Sequence, residues 1–222
     1  MRKFIFIILL FTFCSKSIAQ NSNVGNWLIY FGNQKISKNL NIWNEIQYRN
    51  YNILGDTEQL LVRVGLGYNL TENNNNVLAG YAFINSKNYI GLTDEKSERN
   101  EHRLYQQFLT RNVFGRFNIQ HRYRVEERFV ENDFRLRFRY FLSLNIPLNK
   151  KTMEKDAVYL TAYNEIFLNN KKSIFDRNRI YGGLGYVIHK NLRIETAVMS
   201  QIQENKTRPQ FQIVIFNNIP FL

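Results

Sequence analysis

Three histidines, His102, His121 and His189, are the natural general bases of this sequence. A serine held beside one of them could serve as an acyl-transfer nucleophile, given an orienting partner. Ser143 is the obvious partner for His121. If a tight turn centres on Glu131 and Asn132, however, His121 falls opposite Leu142, and Ser143 points to the other face. His102 near a strand start and His189 in a turn read as ordinary solvated imidazoles. Glu126 and Glu127 are adjacent, so strand alternation sends them to opposite faces and denies them work as paired carboxylates. Gly65-x-Gly67 is not followed by a helix start, which makes it a strand feature and not a dinucleotide fingerprint. No metal-ligand spacing or phosphate loop is present, and neither an enzymatic activity nor a cofactor is expected.

The residues that do recur at a fixed spacing are arginines. Arg135, Arg137 and Arg139 alternate with Phe134, Leu136, Phe138 and Tyr140, and Arg122, Arg124, Glu126 and Arg128 alternate with His121, Tyr123 and Val125. Steps of two residues would scatter round a helix but line one face of a strand. The same parity gathers Glu45, Arg49, Arg63, Arg103, Glu165, Arg177, Arg179, Arg193 and Glu195 on polar faces, whereas the lysines fall in connections or at strand ends. Arginine without lysine suits a confined interior, where a planar fork binds carboxylates, amides and aromatic rings. On a lipid-facing surface each such arginine would cost about 2–4 kcal/mol at midplane depth. The turn at Glu131 and Asn132 also sets Glu126 opposite Arg137, Arg124 opposite Arg139 and Arg128 opposite Arg135. Like charges thus face each other twice, and water, further glutamates or a bound anion must neutralise them.

Alternation with turn residues between predicts strands near 24–32, 40–51, 58–71, 77–87, 100–112, 117–129, 134–146, 157–168, 177–188, 191–202 and 209–222. Single-chain bacterial barrels have an even strand number, so ten or twelve strands are expected, with the first segment the weakest. Tight connections at 72–76, 112–115 and 189–191 against longer ones at 88–100 and 169–176 suggest barrel ends of unequal loop length. Many segments are longer than the ~5–6 residues of an ordinary strand and reach the ~9–11 of a tilted membrane strand.

The N-terminus reads as a secretory signal over residues 1–19, with Arg2 and Lys3 before the apolar run Phe4 to Phe13 and the exit Ser17-Ile18-Ala19. That run is about half the ~20 residues of a spanning helix. Phe13 before Cys14 is not the small residue that lipid modification of a cysteine requires. Without the signal the chain has no cysteine, and losing Arg2, Lys3 and Lys16 with no acid lowers the net charge from +12 to +9. Export argues against nucleic acid as the counterpart of that charge and favours anionic lipid or an anionic solute. Residues 20–222 form one domain, with no linker to divide them.

Glu45-x-Gln47-x-Arg49, Gln59-x-x-x-Arg63-x-Gly65-x-x-Tyr68, Glu101-x-Arg103-x-x-Gln106-Gln107, Arg122-x-Arg124-x-Glu126-x-Arg128-Phe129, Arg135-x-Arg137-x-Arg139-Tyr140 and Asn178-Arg179-x-Tyr181-x-Gly183-x-Gly185-Tyr186 follow one another in order. Together they resemble an uncharacterised family of unknown function, common in Bacteroidetes and outer-membrane-barrel-like. The resemblance implies an address and no mechanism. Phe221-Leu222 departs from the usual ending of outer-membrane barrels. An internal echo is also visible, Asn44-Glu45-Ile46 before Gly65-Leu66-Gly67-Tyr68 and Asn164-Glu165-Ile166 before Gly183-Leu184-Gly185-Tyr186, with hairpin duplication and coincidence both open. Inward glycines would leave room for a large neighbour.

The sequence therefore predicts an all-β, antiparallel up-and-down transmembrane β-barrel of ten or twelve strands in the cell outer membrane. Its lumen is lined by Glu45, Arg49, Arg63, Arg103, Arg122, Arg124, Glu126, Arg128, Arg135, Arg137, Arg139, Glu165, Arg177, Arg179, Arg193 and Glu195. The expected partners are outer-membrane lipid and small anionic solutes, through a narrow anion-leaning pore like the arginine rings of anion channels. Two alternatives stand beside it. One is a barrel plugged by its own Arg and Glu, structural or a partner in an envelope assembly; the other is a soluble periplasmic barrel binding an anionic or lipidic ligand.

Overall fold

In the computed structural model, residues 24–220 are described except 72, 73, 92 and 172. The expected signal at 1–19 and the terminal Phe221-Leu222 lie outside the described residues. The chain winds up and down through β1 (Gly25–Lys35), β2 (Leu40–Asn50), β3 (Thr57–Asn69), β4 (Asn75–Tyr89), β5 (Lys96–Phe114), β6 (Phe117–Val130), β7 (Asp133–Pro147), β8 (Val158–Asn169), β9 (Phe175–His189), β10 (Leu192–Gln203) and β11 (Lys206–Asn217). Each pairs with its sequence neighbours, and β1 closes the barrel on β11.

The strand number is eleven, not ten or twelve, and the segment near 24–32 is a full strand. An odd count in an up-and-down winding leaves the first and last strands pointing the same way. The closing ladder is accordingly parallel, from Gly25 opposite Gln210 to Gly32 opposite Asn217, while every other pair is antiparallel. Closure satisfies the two edges whichever way they run.

The expected loop asymmetry does not hold. At the end where β1 begins, the connections are 51–56, 90–95, 131–132, 170–174 and 204–205; at the other end they are 36–39, 70–74, 115–116, 148–157 and 190–191. Tight turns occur at both ends, and the longest connection, 148–157, belongs to the end expected to be short. Gly115 takes a positive φ of 58° in one tight turn, and Glu131 takes 53° in another. The latter sets the β6–β7 register predicted from the sequence, with Glu126 opposite Arg137 and His121 opposite Leu142.

Period-two alternation sorts the side chains into two environments. The outward face is apolar: Leu60, Val62, Val64 and Leu66 on β3, Phe134 and Phe138 on β7, and Leu160, Ile180, Leu184 and Val198 beyond are all exposed. The inward face holds nearly all the buried charge, including Glu45, Arg63, Arg103, Arg124, Glu126, Arg137, Arg139 and Glu165. Apolar side chains inside gather mostly in small clusters, one of Trp27, Ile29, Tyr181, Ala197, Met199 and Val214, another around Leu61, Ile84 and Tyr105 and a third of Ala157, Tyr159 and Val187. Inward glycines admit large neighbours, at Gly185 of the internal echo and at Gly80 outside it. A Cβ on Gly80 would lie 2.6 Å from the Tyr105 ring, and one on Gly185 would lie 2.1 Å from the Tyr159 ring.

Candidate functional site

The interior is organised round one carboxylate. Glu126, fully buried on β6, accepts hydrogen bonds from Arg137 at 2.5 Å and from Arg139 at 2.5 Å on β7. Arg63 from β3, Arg103 from β5 and Arg124 beside it on β6 approach within 3.8, 3.6 and 3.7 Å. Since β3 and β6 are not neighbours, the Arg63 contact crosses the interior. Charge-assisted bonds of this kind are the strong ones, and Arg139 makes two sets of them.

Three further carboxylates extend the network. Glu165 on β8 takes Arg139 at 2.6 Å and Arg122 at 2.7 Å, with Arg179 at 3.9 Å. Glu45 on β2 takes Arg63 at 2.6 Å and is also bonded by Gln47, whose Oε1 accepts from Arg49. Glu101 on β5 binds Arg103 at 2.7 Å and Arg128 at 2.5 Å. Glu195 is held differently, accepting from the hydroxyls of Tyr159 and Tyr181, each at 2.8 Å. Aromatic faces take the remaining guanidinium surfaces. Arg49 lies 3.8 Å over Trp27, and Arg139 and Arg179 lie 4.5 and 4.7 Å over Phe167.

The two like-charge pairs anticipated from register are real and are relieved by side chains of the barrel itself. Opposite Arg139, Arg124 bonds Gln107 at 2.6 Å and stacks over Tyr105. Arg128 turns to Glu101, whereas Arg135 leaves the network and pairs with Asp133 at the rim, 2.6 Å away and 40% exposed.

All the sequence-predicted lining residues thus lie on the inward parity. Most join the network; Arg135 does not, Arg177 reaches Asp176 nearer the same end, and Arg193 stands 3.9 Å from Glu195. Several participants were not singled out. Glu101 sits two residues before Arg103, so parity alone would have found it. Arg111 is on the same parity of β5, and Arg208 was missed because β11 begins at Lys206 and not near 209. The tyrosines and glutamines of the interior carry no spacing signal distinct from a β core.

His102 and His121 face outward. His102 bonds the Tyr81 hydroxyl at 2.6 Å and His121 the Tyr140 hydroxyl at 2.9 Å. Ser143 is inward and buried, so it and His121 lie on opposite sides of the wall. Among the described residues, no group of three or more His, Cys, Asp or Glu is placed to hold a metal ion.

Empty space inside is divided. About 140 Å³ remains among Trp27, Glu45, Arg122, Arg179 and Tyr181 at mid-height. Two chambers of about 300 and 330 Å³ adjoin each other at the end where β1 finishes.

The model of a family described as "Protein of unknown function (DUF2490)" matches residues 24–212. Among solved structures, the chain is similar to OmpT (in-vitro folded), an outer membrane protein of Vibrio cholerae, at 16% identity over 75% of this chain and 51% of that one, with a TM-score of 0.39. It is similar also to OmpTdeltaL8, a loop L8 deletion mutant of OmpT, at 16% identity over 75% and 57% of the two chains, with a TM-score of 0.40. The chain spans about half the length of these structures. No curated protein matches it.

Proposed function

This chain belongs to the DUF2490 family, whose description names no activity, and from its geometry we propose a closed outer-membrane barrel that acts as a membrane-embedded scaffold and conducts no solute. The observation that carries this reading is Glu126. Guanidiniums from β3, β5, β6 and β7 converge on it across the interior, and both Glu126 and Arg124 are about 1% exposed. An ion on its way through would have to separate buried pairs, at about 3–5 kcal/mol for each partner removed.

The address is supported by the distribution of apolar groups. A water-facing barrel rarely carries a contiguous apolar patch beyond a few hundred Å². Here exposed leucine, valine, isoleucine and phenylalanine side chains follow one another round the outer wall. The strands, from 11 to 19 residues, are also long enough for tilted crossing. A soluble periplasmic barrel would invert this arrangement, and an open anion pore would need the central pairs apart.

The test is reconstitution in planar bilayers, with insertion checked by the difference in electrophoretic mobility between unheated and boiled samples. Inserted wild-type protein should give silent membranes. Anion-selective steps from it would overturn the scaffold reading in favour of the pore, and recovery of the cellular protein in the soluble periplasmic fraction would overturn the address.

A further inference from the structure

Ion pairing inside the barrel is unequal along its length. At the end where β1 begins, five cations have an acid: Lys96 pairs with Asp56, Arg208 with Glu58, Arg135 and Lys171 with Asp133, and Arg177 with Asp176. At the opposite end the two chambers are lined by Arg111, Arg122 and Arg193 and by Lys35 and Lys38, with no aspartate or glutamate among the described lining residues. Arg122 is already committed to Glu165. Among the described residues the one carboxylate that Arg193 reaches is Glu195, at 3.9 Å, whose oxygens are occupied by two tyrosine hydroxyls. Arg111 donates Nε to Gln120 at 3.0 Å, and among the described residues no carboxylate comes within ion-pair distance of it.

Arg111 lines both chambers and joins them. The remaining wall carries side-chain amides, among them Asn33, Asn118 and Asn145, beside apolar residues that include Trp43 and Phe216. Arg193 stacks 4.1 Å over Phe216, and both residues line the chamber. A volume of about 300 Å³ is at the small end of ligand sites. Uncommitted guanidinium forks recognise an oxyanion, side-chain amides pair with hydroxyls, and aromatic side chains take the apolar face of a ring.

We propose that this end of the barrel binds a monosaccharide-sized solute bearing a phosphate or carboxylate, with Arg111 and Arg193 holding the oxyanion, Lys35 and Lys38 attracting it, and the amides holding its hydroxyls. The site is a vestibule above the central ion-pair network. It needs the barrel and its end chambers but neither the bilayer address nor the absence of conductance, so the two readings fail separately.

Titration calorimetry on detergent-refolded protein tests it, with glucose 6-phosphate and glucuronate as probes for the two oxyanions and glucose and inorganic phosphate as partial ligands. Saturable binding of at least one acidic sugar is expected, weakened by salt, with glucose and inorganic phosphate each at least ~10-fold weaker. R111Q and R193Q should each weaken it by about tenfold, whereas R135Q at the opposite rim should not. Trp43 in the chamber wall gives a readout that needs no variant, because bound ligand should shield it from acrylamide. Heat-shifted, folded protein that binds neither acidic sugar would overturn the proposal. So would equal affinity for glucose, equal affinity for inorganic phosphate, or undiminished binding by the R111Q/R193Q double variant.

Discussion

Glu126 and Glu127 are neighbours in sequence with opposite surroundings, which makes Glu126→Gln and Glu127→Gln a matched pair of perturbations. Glutamine at 126 keeps the shape and one acceptor oxygen but removes the charge that Arg137 and Arg139 contact at 2.5 Å. Removing one member of a buried pair costs about 3–5 kcal/mol. The loss should not multiply by the number of arginines, because most keep a second acid: Arg63 has Glu45, Arg103 has Glu101, Arg139 has Glu165, and Arg137 has Asp176 at 3.1 Å. Arg124 is the exception, with Gln107 and Tyr105 as its other partners, so R124Q should restore part of the stability that E126Q loses. Glu127 on the outer wall accepts from Gln106 at 3.4 Å, and E127Q should change stability by about 0.5 kcal/mol or less. Urea unfolding in lipid vesicles, followed by tryptophan fluorescence, measures both. An E126Q loss below about 1 kcal/mol, or equal losses for the two variants, would refute the claim that Glu126 holds the interior together.

Gly185→Ala should destabilise the barrel by about 1–3 kcal/mol through overpacking against Tyr159, while Gly182→Ala, with nothing within 4 Å, should be tolerated; the same urea titration separates them. Val64→Arg places a charge on the apolar wall and should cost about 2–4 kcal/mol in a bilayer, whereas a near-zero cost would mean that Val64 faces water. Outside the spanning strands, burial raises the Asp56 carboxyl, but hydrogen bonds from Lys96 and Tyr89 outweigh it and hold the group below its ordinary value of 3.8. A depressed folded value contributes stability that is complete above the unfolded one and is lost as pH falls through the folded one. The stability difference between wild type and D56N should therefore be constant near neutrality and shrink below about pH 4, and a difference that grows on acidification would contradict the pairing.

Much of the wall was legible because a pleated strand has a side-chain period of two and the arginines obey it. Arg135, Arg137 and Arg139 could share a face only in a strand, and the turn at Glu131 and Asn132 gave the β6–β7 register to the residue. Glu101 and Arg111 were equally open to parity. Strand number was not, because the even-number rule displaced a count of eleven that the segments themselves supplied. Whether β1 meets β11 depends on closure of the whole sheet, and nothing local to either segment encodes a parallel partner.

The division between chain and fold follows from range. Alternation, turn residues and cation type act over a few positions, and by themselves they determined that this protein has strands with an arginine face and an apolar face. Only the closed barrel decided which guanidiniums meet, because Arg63 and Glu126 are brought together from non-adjacent strands across the interior. Only the barrel likewise set Arg111 apart from any acid among the described residues at one end while pairing five cations at the other, since the balance of charge at a point is summed over every strand that reaches it.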